Sequence, residues 1–329
     1  MSGIVLSSRV RLARNYTDLP FRAHISREQS EECVNRTLSA LRDLPESYTY
    51  LPLRSADETE KKTLVEAHLI SPDLLTNLEN AAVLIRGDKK ISVMMNEEDH
   101  LRIQAFSPGE NLNEAAENAF SIDDELQRRL SFAFDGQLGY LTACPTNTGT
   151  GMRASRMLHL PMLTLLKQMG KVNQLTAKLG LTIRGIYGEG SEALGDLYQV
   201  SNQVTLGRTE EEIIEAVSAV GKKLIDMESA LRDRSMKEMH SELKDSMWRS
   251  YGLLSYARQM DEKEFMQHWS HLRLGVCCGL FATPLTAVDE LLTVAQNAHA
   301  KRYADEMNPD LSADQARCEI IRKTLHTTP

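Results

Sequence analysis

The sequence predicts an α+β protein, with a mixed domain over residues 1–232 followed by an all-helical domain over residues 233–329. Three observations carry this expectation. Alternating, β-branched runs at residues 4–14, 82–106 and 181–187 have the two-residue period of strands. Thr209 with Glu212, and Ser312 with Gln315, have the spacing of capping boxes that open helices. Beyond about residue 233 the strand patterns vanish and only helical periodicity remains.

Bulk composition excludes several classes of function. A formal net charge of −8 argues against a general nucleic-acid binder, and 5% aromatic content against a base-stacking platform. No apolar run approaches the roughly 18 residues of a membrane span, and the start lacks the basic flank of a signal peptide. A cytoplasmic protein without direct membrane contact is therefore expected. Cys33, Cys144, Cys277, Cys278 and Cys318 form an odd set without a Cys-x-x-Cys pair, so reduced thiols are expected rather than disulfides or a zinc site.

In chain order, the extended segment 4–14 places Ser7, Arg9 and Arg11 on one side, and the plainest reading is an edge strand with a solvated basic face. Residues 26–42 and 56–69 read as helices, the second turning Leu64, Val65 and His68 to one side. Residues 82–106 read as a hairpin, turning at Gly87-Asp88, and a returning strand. Between them, Asn96-Glu-Glu-Asp-His100 is either a solvated turn or a carboxylate presented at a strand end beside Arg102. Residues 111–134 read as a helix with Leu126, Leu130 and Phe134 at spacing four, ended by Gly136, after which a strand at 138–143 delivers Cys144.

The stretch Cys144-Pro-Thr-Asn-Thr-Gly-Thr-Gly-Met-Arg-Ala-Ser155 has a composition suited to wrapping backbone and a cation around an anion. A helix over 153–169, kinked at Pro161, is expected to follow it. The strand at 181–187 runs into a glycine-rich loop that is not a Walker A motif, because Ser191 stands where lysine is needed. Further strands are expected at 198–202 and 204–206, then a helix from Thr209 to about Arg232 and helices over 234–260, 261–280, 286–302 and 312–326. Cys277-Cys278 reads as core.

Four of these segments occur in the order found in the phosphagen kinases, the creatine and arginine kinase superfamily, which they resemble. They are Ser7-Ser-Arg-Val-Arg11, Asn96-Glu-Glu-Asp-His-Leu-Arg102, Cys144 through Arg153, and Arg184-Gly185. The chain is most similar to the bacterial protein-arginine kinases of that superfamily, through Arg184-Gly-Ile-Tyr-Gly-Glu-Gly-Ser-Glu192, His68-Leu-Ile-Ser-Pro72 and the helical tail.

The resemblance implies a phosphagen-kinase-like catalytic domain, a largely antiparallel sheet flanked by helices, before a smaller helical domain for dimerisation and phosphoarginine-binding regulation. It implies that Arg9, Arg11, Arg102, Arg153 and Arg184 line the phosphates of ATP, with His68 near the nucleotide and magnesium carried by ATP itself. The nucleotide site would extend over Ser7, Ser8, Val10, Ala154, Ser155, Arg156, Met157, Gly185, Ile186, Tyr187, Gly188 and Glu189. Glu98 is implied as the base that orients and deprotonates a guanidinium, Glu189 as the second carboxylate, and Cys144 as an orienting, electrostatic group.

In small-molecule phosphagen kinases a helical domain precedes the catalytic one, whereas this chain begins with the first catalytic motif. A bulky acceptor is therefore expected, namely arginine side chains of proteins. The resemblance further implies a mark for Clp-type proteolysis, control of stress repressors, and an activator protein, a Clp ATPase and a second copy of the chain as partners. A kinase of a free guanidino compound and a non-catalytic phosphoarginine-binding adaptor are the rivals; the presence of Glu98, Glu189, Cys144 and all five arginines speaks against the adaptor. In the tail, Asp314 and Arg317 match the family's Arg-Asp-x-x-Arg-Ala pocket motif, but Ala313 replaces its first arginine. The pocket is degenerate, or the pair simply spans one turn at a helix start.

Overall fold

A computed structural model describes residues 3–185, 193–238 and 240–326. Its centre is an eight-stranded sheet with the order β2-β3-β4-β5-β1-β8-β10-β9. The strands are β1 (Val5–Arg14), β2 (Tyr48–Pro52), β3 (Ala82–Arg86), β4 (Ile91–Met95), β5 (Leu101–Pro108), β8 (Met152–His159), β9 (Leu181–Gly185) and β10 (Leu197–Asn202), and every ladder is antiparallel. A separate two-stranded hairpin pairs β6 (Phe134–Asp135) with β7 (Gly139–Tyr140).

The two faces of the sheet are covered differently. Helices α1 (Arg27–Ala40), α3 (Leu112–Gln127) and α6 (Glu210–Glu238) bury one face, where Val10, Leu12, Ile103, Ala105, Met152, Ala154 and Val200 pack against Ala115, Ala119, Ile122, Val217 and Leu224. Each large aliphatic side chain closed off there contributes about 1.5–3 kcal/mol. The opposite face stays partly open. Helix α2 (Glu58–Glu66) and the turn after it lie at one border, over a small core of Leu53, Ile70, Leu74, Val83 and Met94.

Two short helices, α4 (Pro161–Leu165) and α5 (Met169–Lys178), link β8 to β9. After α6 come α7 (His240–Tyr256), α8 (Glu262–Cys277), α9 (Leu285–Val294), α10 (Asn297–Met307) and α11 (Ala313–His326). These build a second core around Trp269, Phe265, Met247 and Ile321 that also takes in Met162 and Leu197. Helix α6 runs unbroken past residue 232, and its Arg232 donates to the carbonyl of His159 at 3.0 Å.

Several expectations from the sequence need correction. Strand β1 is central, because β5 and β8 occupy both its edges. Residues 153–159 are strand rather than helix: Met, Arg, Ala and Leu favour helix locally, but pairing with both β1 and β10 overrides that preference. Pro161 then sits at the first position of α4, where its missing N–H costs nothing, and kinks no helix. Helix α3 stops at Gln127 because the following chain turns back to bond the residues after β1, Thr17 N to Ser131 O and Ala133 N to Asn15 O. Phe134 is thereby left 61% exposed.

The expected strand before Cys144 is reduced to Gly139–Tyr140, and residues 204–206 form a loop anchored by Thr205. The stretch 286–302 divides into α9 and α10 at Gln296, whose backbone is extended. Cys277 and Cys278 are half-buried at the end of α8, with Cys278 packed against the second core and Cys277 outside it.

Candidate active site

Strand alternation decides which side chains share the open face. On β1 it receives Ser7, Arg9 and Arg11. The ladders extend this row sideways: Arg11 lies opposite Gln104 and Arg153, Arg9 opposite Phe106 and Ser155, and Ser7 opposite Met157. All of these except Arg153 floor a cavity of about 650 Å³. One wall is the segment from Val65 to Pro72, which includes His68, and the other comes from α8, α9 and Gln296.

Ser7, Arg9, Arg11, His68, Arg102, Ser155 and Met157 all line this cavity. The side chains of Ser8, Val10, Ala154 and Arg156 do not, because the two-residue period sends them to the helix-covered face. Ser8 donates to Gly109 O at 2.8 Å, Val10 and Ala154 are fully buried, and Arg156 donates to Glu110 O at 3.0 Å and Ser218 O at 3.3 Å. Reading 153–157 as helix hid this division. Arg153 lies beside the cavity, held by Ser201 Oγ at 3.1 Å. Arg184 lies opposite Gln199, and Gly185 closes β9 against Ala193. Ile186, Tyr187, Gly188 and Glu189 lie outside the described residues.

The cavity floor is strongly cationic. Burial, then Arg153 and Arg102, lower the pKa of Arg9 to about 10. Arg11 is pushed down by burial and by Arg9, Arg102 and Arg153, while Arg153 is pushed down by burial, Arg184 and Arg102. Five arginines held in mutual electrical contact destabilise the empty protein and call for a multivalent anion. Among the described residues the buried Nε of Arg11 has no hydrogen-bond partner, whereas Arg9 is braced by Gln199 Oε1 at 3.0 Å. Burial and Arg9 depress the pKa of His68 to about 4, so its ring is neutral near pH 7.

Arg102 joins the cavity to the acidic turn 96–100. Its Nη1 contacts Glu97 Oε1 at 2.5 Å and its Nη2 approaches Glu98 Oε2 at 3.5 Å. The turn is less solvated than three successive acids suggest. Glu97 and Asp99 are buried and hydrogen-bonded, to Ser71 at 2.6 Å and to Asn15 at 2.6 Å respectively, while Glu98 projects outward. Burial and the charge of Asp99 raise the pKa of Glu98 above the ordinary 4.5, making its carboxylate a better base.

The turn that carries Cys144 adjoins the same region. Its turn presents Asn147, whose Nδ2 reaches Glu98 Oε2 at 3.5 Å, and its Sγ lies 3.0 Å from Thr146 Oγ1. Gly149 and Gly151 serve packing here rather than an anion: a Cβ on Gly149 would lie 2.5 Å from Thr205 O, and one on Gly151 2.7 Å from Ala13 O. Thr205 Oγ1 braces the turn from below through the carbonyls of Thr146 and Thr148.

In the tail, Arg317 is fully buried at the start of α11. It donates to Asp314 Oδ1 at 2.6 Å, Ala295 O at 2.7 Å, Met260 O at 2.7 Å and the side chain of Asn297. These donors hold helices together, and Asp314 and Arg317 form the one-turn pair that a helix start allows.

Sequence reasoning missed Glu97, Asp99, Asn147, Gln104 and Gln199 as supporting residues. The acidic run itself was the available signal: one acid at a strand end can serve a ligand, while its neighbours must be anchored. Nothing in the sequence pointed to Glu262, Met266, Asp289, Leu292 and Thr293 as cavity wall, because their placement depends on how the C-terminal helices pack.

Residues 29–231 match the family described as ATP:guanido phosphotransferase, C-terminal catalytic domain, and residues 240–329 match the Protein-arginine kinase McsB C-terminal domain. A protein-arginine kinase of Caldanaerobacter subterraneus subsp. tengcongensis is 41% identical over 98% of this chain and 97% of its own. One of Symbiobacterium thermophilum is 44% identical over 98% of this chain and 93% of its own. Among solved structures, a lombricine kinase superposes with a TM-score of 0.63 at 27% identity, covering 71% of this chain and 68% of its own. The chain belongs to the ATP:guanido phosphotransferase family.

Proposed function

We propose that the chain transfers the γ-phosphoryl group of ATP to the guanidino group of arginine residues in proteins. The observation that carries this reading is the position of Arg102, which touches the polyarginine cavity on one side and the Glu97–Glu98 pair on the other. A nucleotide lying along Arg9, Arg11, Arg153 and Arg102 directs its terminal phosphate toward Glu98 and Cys144. Relatives alike over nearly their whole length carry the name protein-arginine kinase.

A guanidinium has a pKa above 12 and a delocalised lone pair, so free deprotonation is too costly. Glu98, made more basic by its surroundings, binds the planar cation and takes one N–H proton as the N–P bond forms. The bond from the γ-phosphorus to the bridging oxygen breaks at the same time, and ADP leaves with the charge held by the arginines. Cys144 supports the orientation of the cation.

Magnesium would enter on the phosphate oxygens of ATP and neutralise charge there. No helix among the described residues is long and apolar enough to cross a membrane. Marking of proteins for Clp-type proteolysis, control of stress repressors, dimerisation and dependence on an activator are parts of the same reading. Incubation with ATP and either casein or free arginine separates the acceptors: label on casein is expected, and label on free arginine alone would overturn the reading.

A further inference from the structure

The C-terminal helices are attached to the nucleotide cavity at one point that none of the motifs above includes. Helix α10 begins at Asn297, and its preceding residue Gln296 gives no side-chain cap. The cap comes from Glu66, the last residue of α2. Its Oε1 accepts from Ala298 N at 2.6 Å, and its Oε2 accepts from His299 N at 3.0 Å and lies 2.7 Å from His299 Nδ1. Both side chains are mostly buried, at 15% and 22% exposure.

Glu66 also lines the cavity, two residues before His68. The backbone at His68 is left-handed, with φ 58°, and its carbonyl accepts from Gln104 Nε2 at 2.7 Å. The first part of the wall from Val65 to Pro72 is therefore fixed twice, to the sheet through the His68 carbonyl and Gln104 and to α10 through Glu66, while its far end is held by Ser71, which donates to Glu97 Oε1 at 2.6 Å. The α10 start is itself clamped from behind, where Arg317 binds Ala295 O and the Asn297 side chain. Placing the carboxylate on the positive end of a helix also offsets a charge that would otherwise repel nucleotide phosphates.

From this we infer that Glu66 is a positioning residue for ATP: through the α10 N-terminus it sets the distance between the His68 wall and the arginine floor. Among the described residues Glu66 itself has no contact with Glu98 or Cys144, and its wall reaches the acidic turn only at the far end, through Ser71 and Glu97. Disturbing the clamp is therefore expected to weaken the grip on ATP far more than the chemical step. This inference rests on ATP being the phosphoryl donor.

The test uses the full chain with Glu66→Ala, His299→Ala and the double variant, measuring steady-state kinetics and equilibrium binding of a fluorescent ATP analogue. Glu66→Ala is expected to raise KM for ATP about tenfold with kcat within about twofold, a shift of the size usual for coupled sites. His299→Ala, which leaves Glu66 its two backbone N–H donors at the start of α10, is expected to raise it about threefold. The double variant should match Glu66→Ala, since His299 acts through the same carboxylate.

An unchanged KM for ATP in His299→Ala, additive effects in the double variant, or a loss confined to kcat would each overturn the inference. Failure of the wild-type chain to bind the analogue would instead overturn the assignment of ATP as donor.

Discussion

The buried carboxylate of Asp99 accepts the backbone N–H of Ala143 at 2.7 Å, one residue before Cys144. The same oxygen takes Asn15 Nδ2 at 2.6 Å. One side chain thus ties the turn carrying Glu98 to the turn carrying Cys144, the two groups that the proposed mechanism brings to one guanidinium. Asp99→Ala removes the acceptor of the Ala143 N–H and leaves Asn15 Nδ2 only its 3.1 Å bond to Leu141 O, at a cost of about 1–3 kcal/mol. Because orientation is lost along with stability, kcat should fall by about two orders of magnitude with KM for ATP little changed. Chemical denaturation and initial-rate kinetics check the two effects separately.

The arginine floor is held against mutual repulsion. Arg11→Met removes a charge that burial and three neighbouring arginines disfavour, so the nucleotide-free protein should gain about 1 kcal/mol of stability. The wild-type chain should in turn gain about 2.7 kcal/mol with ATP at a hundred times its Kd, and the variant should lose most of that gain. Thermal unfolding with and without ATP measures both changes; a destabilised nucleotide-free variant would contradict the account.

His68 predicts a dependence of stability on pH. Its pKa in the folded chain is depressed to about 4, against an ordinary 6.5, so between these values the unfolded chain binds the proton and the folded chain does not. Stability is full above pH 6.5 and is lost as pH falls toward 4, by up to about 1.4 kcal/mol per pH unit for each proton involved. His100 and His159 are shifted in the same direction by burial. His68→Gln should flatten the slope by part of one proton, as read from denaturation midpoints at pH 7.5 and 5.

With Glu98 as the base, its ionisation should govern the acid side of the rate profile. Its pKa stands above 4.5 through burial and Asp99, and transfer requires its ionised form. The acid limb of kcat/KM for the acceptor should therefore fall at a pH above the ordinary glutamate value. His68, which titrates near 4, does not supply that limb. Initial rates across pH 5 to 8 locate it, and a flat profile down to pH 4.5 would count against Glu98 as the base.

Much of this architecture was legible in the residues. The alternation of Ser7, Arg9 and Arg11 placed them on one face, and the capping boxes at Thr209 and Ser312 form as the spacing requires. What failed was the choice between helix and strand for Met152–His159, where local preference opposes a central position between β1 and β10. That error merged Arg153 and Arg156 into one role, although they point to opposite faces. The burial of Glu97 and Asp99 was illegible for a different reason: their partners, Ser71, Asn15 and Ala143, come from distant segments. The same holds for Glu66, whose partners on α10 lie more than two hundred residues away.

The most direct test of the central claim is phosphoarginine mapping by mass spectrometry, under non-acidic handling that spares the N–P bond. Wild-type chain and Glu98→Ala are each incubated with ATP and a protein rich in exposed arginines. The account predicts phosphoarginine on the substrate protein with the wild type and none with Glu98→Ala, whose fold is retained by circular dichroism. Phosphoarginine formed by folded Glu98→Ala at the wild-type rate, or none formed on protein by the wild type, would contradict it.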